Sequence, residues 1–551
     1  MPDKVVTAVA DLSADTVFLH GQVVTVDHDF TIAQALACKG DRLVAIGSDT
    51  QVQKLIGPHT QVIDLAGRTV LPGIVDAHNH MMDMGLKLSQ IALDEVTSIA
   101  QMVELARERA RETPPGGWIV GQGWNESLLA EGRMPNRYDL DMVSTEHYVL
   151  LSRFYDIDAV NSLVLELAGI DRNTPDPQGG RIERDEKGEP TGLLRASAKV
   201  LVRQLMPQPS TEEMVVALRA AGLDYRRMGI TSIVDPGLRP REVHAYQTLY
   251  SRGELPLRVN LMPSWHGFHD DEDPQELERR AREVGLYTGF GDEWLRLGAL
   301  KMVIDGGTTS HTAYMYQPFL GESVVVNYNS LDEARLPEYI QQAQELGWDV
   351  GIHCCGDRAQ DLAVEAFDKV LSQVSDSRTR HNIIHGYFPT DFSLERMKEH
   401  NIAVVIQPTF IYYEGDDLFR DVGEERAANY KPLRKYLAHD IVVVASSDVT
   451  STVSYNPFIG LYALVSRRSH LGTPIAPHQA ASREEALRAY TVAGAYLTHE
   501  EDLKGSLEVG KLADFIVIDR DYRSVPVEEM KEIQVEMTVL GGQVVYESNN
   551  G

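Results

Sequence analysis

Leu71-Pro72-Gly73-Ile74-Val75-Asp76-Ala77-His78-Asn79-His80 is the stretch from which the fold is read. Ile74-Val75 has the character of the end of a buried strand, and two histidines follow as the chain leaves it. Residues two apart in a strand point to the same face, so His78 and His80 can aim both imidazoles at one point. That is how two neighbouring ligands hold a metal. Taken alone, a His-x-His pair also fits an accident of surface or core. The polar strand ends that come later decide between the two.

Working outward, strand-like runs alternate with helical segments, the pattern of a parallel sheet. After the His-x-His strand come Thr231-Ser232-Ile233-Val234-Asp235, Arg258-Val259-Asn260-Leu261-Met262 and Ala299-Leu300-Lys301-Met302-Val303-Ile304-Asp305. Then follow Asp349-Val350-Gly351-Ile352-His353, Asn382-Ile383-Ile384-His385, Ala403-Val404-Val405-Ile406-Gln407 and Val442-Val443-Val444-Ala445-Ser446-Ser447-Asp448. With the first, they number eight, as in a (β/α)₈ TIM-like barrel, where functional groups sit at the C-terminal ends of strands. The expected fold class is therefore α/β.

Short strands also occupy both chain ends: 16–19, 22–26 and 42–46, then 514–518 and 544–546. Neither end has enough strands for a stable sheet alone. The economical reading pairs them into one small β-sandwich domain, residues 1–70 plus 496–551, with a barrel domain over 71–495. Residues 88–225 are too long for a plain loop. Ser98-Ile99-Ala100-Gln101 reads as a capping box opening a helix that stops before Pro114-Pro115, and 179–192 reads as a hairpin. This segment is expected to be a cap folded over the barrel mouth.

Composition narrows the partners. Lys and Arg total 52 against 81 Asp and Glu, a formal charge of −29, which disfavours nucleic acid and anionic membranes. No apolar run is long enough to span a bilayer, and without a secretory n-region and h-region at its start the chain is expected to carry no leader. Cys38, Cys354 and Cys355 form neither a disulfide framework nor a Cys-x-x-Cys zinc site, which fits a reducing, cytoplasmic setting. A small-molecule substrate is the expected partner, and the acidic surface is compatible with a homodimer.

His78, His80, Lys301, His353, His385 and Asp448 all lie at or near strand ends. Each has a bland reading: a structural histidine, an edge-strand lysine, a helix-capping aspartate. Jointly these readings need several unrelated explanations on neighbouring strands. Imidazoles and carboxylates that converge on one point bind divalent transition metals, most commonly zinc in hydrolases.

The opening motif resembles that of the amidohydrolase superfamily, and the order His-x-His, Lys, His, His, Asp is similar to its binuclear metal arrangement. Lys301 to Gly306, His353-Cys354-Cys355-Gly356-Asp357-Arg358-Ala359, Asn456 to Gly460 and Lys504 to Asp514 resemble one branch, amidohydrolase family 3, which includes N-substituted formamide deformylases. The resemblance implies that His78 and His80 hold one metal and that His353 and His385 hold a second. Lys301, if carboxylated, would bridge them; a mononuclear site stays open, as does Mn²⁺ or another divalent ion in place of Zn²⁺. It further implies that Asp448 ligates and shuttles a proton, with His353 or His385 assisting catalysis. The expected reaction is hydrolysis of a C–N bond other than a peptide bond, in a small amide or formamide. An ester, lactone or carbamate hydrolase on the same site, and a non-catalytic binding relative, are the alternatives.

Trp124, Tyr155, His311, Tyr314, Phe410 and Tyr455 are the candidate substrate-binding residues, and as a group they suit an apolar or aromatic substituent. One departure bears on specificity. Where the branch has Asp-Gly-His, this chain has Tyr155-Asp156-Ile157 before Val160-Asn161-Ser162. Only the reaction class is therefore carried over.

Overall fold

Strand β1 (Ile74–Asp76) pairs in parallel with β2 (Ile230–Leu238), β2 with β3 (Arg258–Pro263), and β3 with the short strand Leu295–Leu297, the fourth of this sheet. A second parallel sheet follows in chain order: β4 (Leu300–Val303), β5 (Val350–Cys354), β6 (Asn382–His385), β7 (Ala403–Ile406) and β8 (Val443–Ala445). The two sheets meet on both sides. Next to β3, Ser264 bridges Lys301 in parallel, and the Trp265 N–H donates to the Lys301 carbonyl at 2.8 Å. Next to β1, the Asp448 N–H donates to the His78 carbonyl at 2.8 Å and the Ser447 N–H to Asp76 Oδ1 at 2.8 Å. The strands are nearly continuous apolar runs because both faces of a parallel sheet are covered. Ala77, Val234, Met262, Ile384, Val405 and Val444 pack together between them. The crossovers include helices Asp357–Leu371 and Asp391–Glu399, the second capped by the Thr390 hydroxyl.

This computed structural model describes residues 13–548 except 94, 154–156, 178–179, 267–273, 326–330, 375–377 and 451–453. The described residues divide into two compact units, one running to Met82 and resuming at Leu218, the other Asp83–Ala217.

Within the first unit, the chain ends share a six-stranded sheet in which Phe515–Ile518 runs antiparallel to Thr69–Pro72. A four-stranded sheet, which includes Thr16–Leu19 and Arg42–Gly47, shares its apolar core, where Phe18 meets Phe515 edge to face at 5.0 Å. These sheets fall in the same unit as the parallel strands. Arg258, at the start of β3, explains part of that: its guanidinium donates to both carboxylate oxygens of Asp514, at 2.5 and 3.0 Å, and both residues are buried.

The second unit has its own six-stranded mixed sheet and apolar core. Ser98 caps helix Ile99–Glu112 by accepting from the Gln101 N–H, and the Gln101 side chain accepts from the Thr97 N–H. Gly180–Arg184 and Pro190–Ala196 form the expected hairpin. Among the described residues no helix is long and apolar enough to cross a membrane.

Candidate metal centre

Five strands deliver six side chains to one place. His78 and His80 leave β1, and the Nε2 atoms of both face Asp448 Oδ1, at 3.5 and 3.2 Å. Lys301, in β4, puts Nζ 3.4 Å from His78 Nε2. His353 ends β5 and His385 ends β6, with His385 Nε2 only 2.8 Å from His353 Nδ1. All but His80 and His353 are buried below one-tenth exposure. His385 and Asp448 hold φ at 81° and 56°, left-handed backbone that costs a non-glycine residue on the order of 1–3 kcal/mol and persists where the surroundings impose it.

The hydrogen bonds around the two facing histidines fix what they offer. Gln407 Nε2 donates to Ser446 Oγ at 3.2 Å, so its Oε1 is an acceptor. That oxygen receives Lys431 Nζ at 2.9 Å and His385 Nδ1 at 2.8 Å. His385 therefore carries its proton on Nδ1. His353 Nε2 faces the Gly306 carbonyl at 3.1 Å, which places the His353 proton on Nε2. Two lone pairs are thus left pointing at each other across 2.8 Å. Neutral lone pairs at that separation repel; a cation shared between them removes the conflict. His78 Nδ1, also buried, has no hydrogen-bond partner among the described residues.

Electrostatics keep these donors ready. Burial, then the nearby Lys301, holds His353 down at about 4 and His78 well below the ordinary histidine value. Burial does the same for His385, and the neighbouring His353 and Lys431 further oppose a positive charge on it. Neutral imidazole is the form that ligates. Burial also pushes the Lys301 ammonium down to about 8, within reach of the free-amine form. The donor atoms separate into two groups, His78/His80/Asp448 and His353/His385/Cys355, each with its members within 4.8 Å of one another. This chemistry of nitrogen, carboxylate and sulfur donors fits a divalent transition ion.

Behind the ligands sits a bracing layer. Asp76 accepts from the Ser447 N–H and from Asn79 Nδ2, each at 2.8 Å, and Tyr225 donates its hydroxyl to Asn79 Oδ1 at 2.8 Å. Asp305 accepts three backbone N–H groups, from Cys355 at 3.0 Å, Gly356 at 2.7 Å and Tyr314 at 2.9 Å.

The candidate substrate residues are placed unevenly. Phe410 packs in an apolar cluster with Cys355, Tyr387 and Tyr430, and the Tyr387 ring lies 5.7 Å from His385. Tyr314 stacks under Arg358 at 4.4 Å, and His311 bonds Glu322 at 2.7 Å while stacking on Phe319. Tyr455 donates to Asp224 and packs on Tyr225. Trp124 is fully buried in the core of the Asp83–Ala217 unit, its indole N–H bonded to the Leu151 carbonyl at 3.0 Å. Tyr155 lies outside the described residues.

Gln407, Lys431, Asp305 and Cys355 were not singled out by the sequence. Gln407 follows an apolar strand like the other polar ends and could have been found that way. Lys431 lies in a loop with no periodicity to mark it. Cys355 stands two residues after His353, the same spacing that makes His78 and His80 a pair.

The sequence matches the profile of the amidohydrolase family over residues 61–546. It is 29% identical over 552 residues to an N-substituted formamide deformylase of Arthrobacter pascens, covering 97% of this chain and 98% of that one. It is also 29% identical to the putative amidohydrolase YtcJ of Bacillus subtilis (strain 168), covering 93% and 97% of the two chains. Among solved structures, an uncharacterized metal-dependent hydrolase from Pyrococcus furiosus superimposes with a TM-score of 0.77 at 26% identity, over 92% of this chain and all (100%) of that one.

Proposed function

Because the chain belongs to the amidohydrolase family, which makes it a metal-dependent hydrolase of carbon–nitrogen bonds, we propose that its substrate is a small non-peptide amide or formamide bearing an apolar or aromatic substituent. The observation that carries the proposal is the facing lone pairs of His353 and His385, 2.8 Å apart, beside the His78/His80/Asp448 group. In this reading His78, His80, Lys301 and Asp448, with His353 and His385, hold one or two divalent ions, Zn²⁺ being the first choice. When bound, such an ion polarises a carbonyl and lowers the pKa of water from about 15.7 towards about 7.

The chain's own residues do the rest. Asp448, whose Oδ1 faces both His78 and His80, accepts the proton of water as its oxygen attacks the carbonyl carbon. It then returns that proton to the leaving nitrogen, so the amine departs neutral. His385 is held in one tautomer by Gln407 and Lys431 and so keeps a fixed donor direction. The wall of Tyr387, Phe388, Phe410 and Tyr430 next to His385 supports an apolar or aromatic substituent over a charged one. The architecture we propose is a (β/α)₈ barrel over 71–495 built from β1–β8, with 88–225 inserted after its first strand. A small β-sandwich from 1–70 and 496–551 completes it; the hydrogen bonds joining β3 to β4 and β8 to β1 support closure.

The test is a panel of N-substituted formamides and carboxamides set against matched esters and carbamates, assayed with zinc-loaded, chelated and Asp448→Asn protein. Metal-dependent release of amine, lost in Asp448→Asn, is expected. Turnover confined to esters, or indifferent to chelation, would refute the proposal.

A further inference from the structure

Beside the metal centre lies a small cavity that its ligands do not use. It is lined by Thr308 and Thr309 from the loop after β4, by Glu414, Asp417 and Asp421 from the segment after β7, and by Tyr430. Two routes lead back from it to the centre. The β4 loop gives the Gly306 carbonyl to His353 Nε2 at 3.1 Å, two residues before it reaches Thr308. On the other side the Tyr430 ring meets Tyr387 at 5.1 Å, and Tyr387 meets His385 at 5.7 Å. The free space is about 10 Å³, room for one water-sized group.

The groups around that space are acceptors short of a donor. Asp417 and Asp421 share Arg420, at 2.7 and 3.1 Å, and Asp421 also faces His311 at 3.5 Å. The Glu414 side chain has no hydrogen-bond or ion-pair partner among the described residues. Protein encloses it, yet it keeps some accessible surface, because the cavity is what it faces. Lys431, the cation that acts on it most, is committed elsewhere, to Gln407 at 2.9 Å and to the Tyr387 ring at 3.7 Å. Burial pushes the Glu414 carboxyl up to about 7, and the charge of Asp448 adds to that rise. As a carboxylate it is a buried charge without a counter-ion, which is costly unless a ligand supplies one. A coordinated metal is the wrong occupant, since the three carboxylates do not bring ligand atoms within 4.8 Å of one another as the donors of the centre do. An ammonium group fits: it is about the size of water, and its three N–H donors meet carboxylate and hydroxyl oxygens.

We propose that Glu414 is a specificity residue, its carboxylate receiving a primary ammonium group at the far tip of the substrate's substituent. The inference rests on the amide-hydrolase reading above and deepens it. The stem of the substituent lies along the apolar wall of Tyr387, Phe410 and Tyr430, and only its tip is charged. With the scissile carbonyl at the metal centre, the preferred substrate is an N-substituted amide or formamide that carries a second, remote amine. No bond forms or breaks at Glu414.

Full-length, zinc-loaded wild type and Glu414→Gln are compared on N-alkylformamides of graded length that end in ammonium or, as matched controls, in methyl. In the wild type one chain length is expected at which ammonium is favoured in kcat/KM by about 10-fold or more, the effect of one charge-assisted hydrogen bond. Glu414→Gln keeps the shape and removes the charge. It should erase that preference, with the loss in the KM of the ammonium substrate and not in kcat. Should Glu414→Gln not fold, the wild type carries the test alone: α,ω-diamines should inhibit hydrolysis of the methyl substrates at lower concentration than monoamines of the same length, and equal inhibition overturns the inference. Hydrolysis with no preference for ammonium at any length, or a preference that survives in Glu414→Gln, also overturns it and leaves the hydrolase intact. If no formamide is hydrolysed, the substrate reading falls and this inference with it.

Discussion

Both ends of the same parallel strands carry buried polar groups, and the two use them in opposite ways. At the N-terminal ends, Asp349 accepts the Arg380 N–H at 2.7 Å and His499 Nε2 at 2.8 Å, and His381 Nδ1 accepts the Val350 N–H at 3.0 Å. Arg258 is matched to Asp514 through two hydrogen bonds, and Lys504 Nζ reaches Glu500 at 2.8 Å and Ser232 at 2.9 Å. In these pairs donors meet acceptors. At the C-terminal ends, His353 and His385 present lone pairs to one another and His78 Nδ1 is left over. A buried polar group that is satisfied contributes to stability, and one that is not costs stability unless a ligand completes it. Polarity alone does not mark a site; the balance of donors and acceptors does.

The sharpest break between the ends is expected at Asp448. Asp448→Asn keeps the shape, and asparagine tolerates the left-handed φ of 56° found there. Its loss of proton transfer should lower kcat/KM by about 10³-fold, in the range general acid–base catalysis contributes. The urea midpoint of the metal-free protein should hardly move. A variant that unfolds but, where folded, stays active would place Asp448 among the structural groups instead.

Arg258→Ala is the mirror experiment. It strands Asp514 as a buried charge, which costs about 3–5 kcal/mol when one partner of such a pair is removed. Urea denaturation should register that loss while kcat/KM of the folded fraction at low denaturant is unchanged. A fall in kcat/KM without a fall in stability would erase the distinction between the two ends.

The same distinction governs how much was legible. Strands β1–β8 could be read because each is a short apolar run bounded by turn or polar residues, and β6 coincides with its expected residues, Asn382–His385; the ninth strand of the two parallel sheets, Leu295–Leu297, was not read. His78, His80, Lys301, His353, His385 and Asp448 come together because strand ends are fixed by register, which sequence spacing records. Trp124 was misleading for a physical reason: a large aromatic packs an interior as readily as it lines a pocket, and here it fills the core of the smaller unit. Lys431 was invisible because nothing local puts a lysine amine against the Tyr387 ring at 3.7 Å; only the tertiary fold does.

The smallest effect comes from titration at the N-terminal ends. Burial holds His381 down at about 4, and its Nδ1 lone pair is committed to the Val350 N–H, so the folded protein keeps it neutral. Unfolded, it titrates near 6.5. Between those values the unfolded chain binds more protons than the folded one, so stability must rise as pH increases from about 4 to about 6.5. The slope from one such group is on the order of 1 kcal/mol per pH unit. His381→Gln removes the titration but offers an acceptor in its place. Urea midpoints taken across this window should therefore climb less steeply in His381→Gln than in the wild type, by about that amount. Parallel profiles would mean that His381 is free to protonate in the folded state, and that its bond to the Val350 N–H does not hold the N-terminal end as the comparison requires.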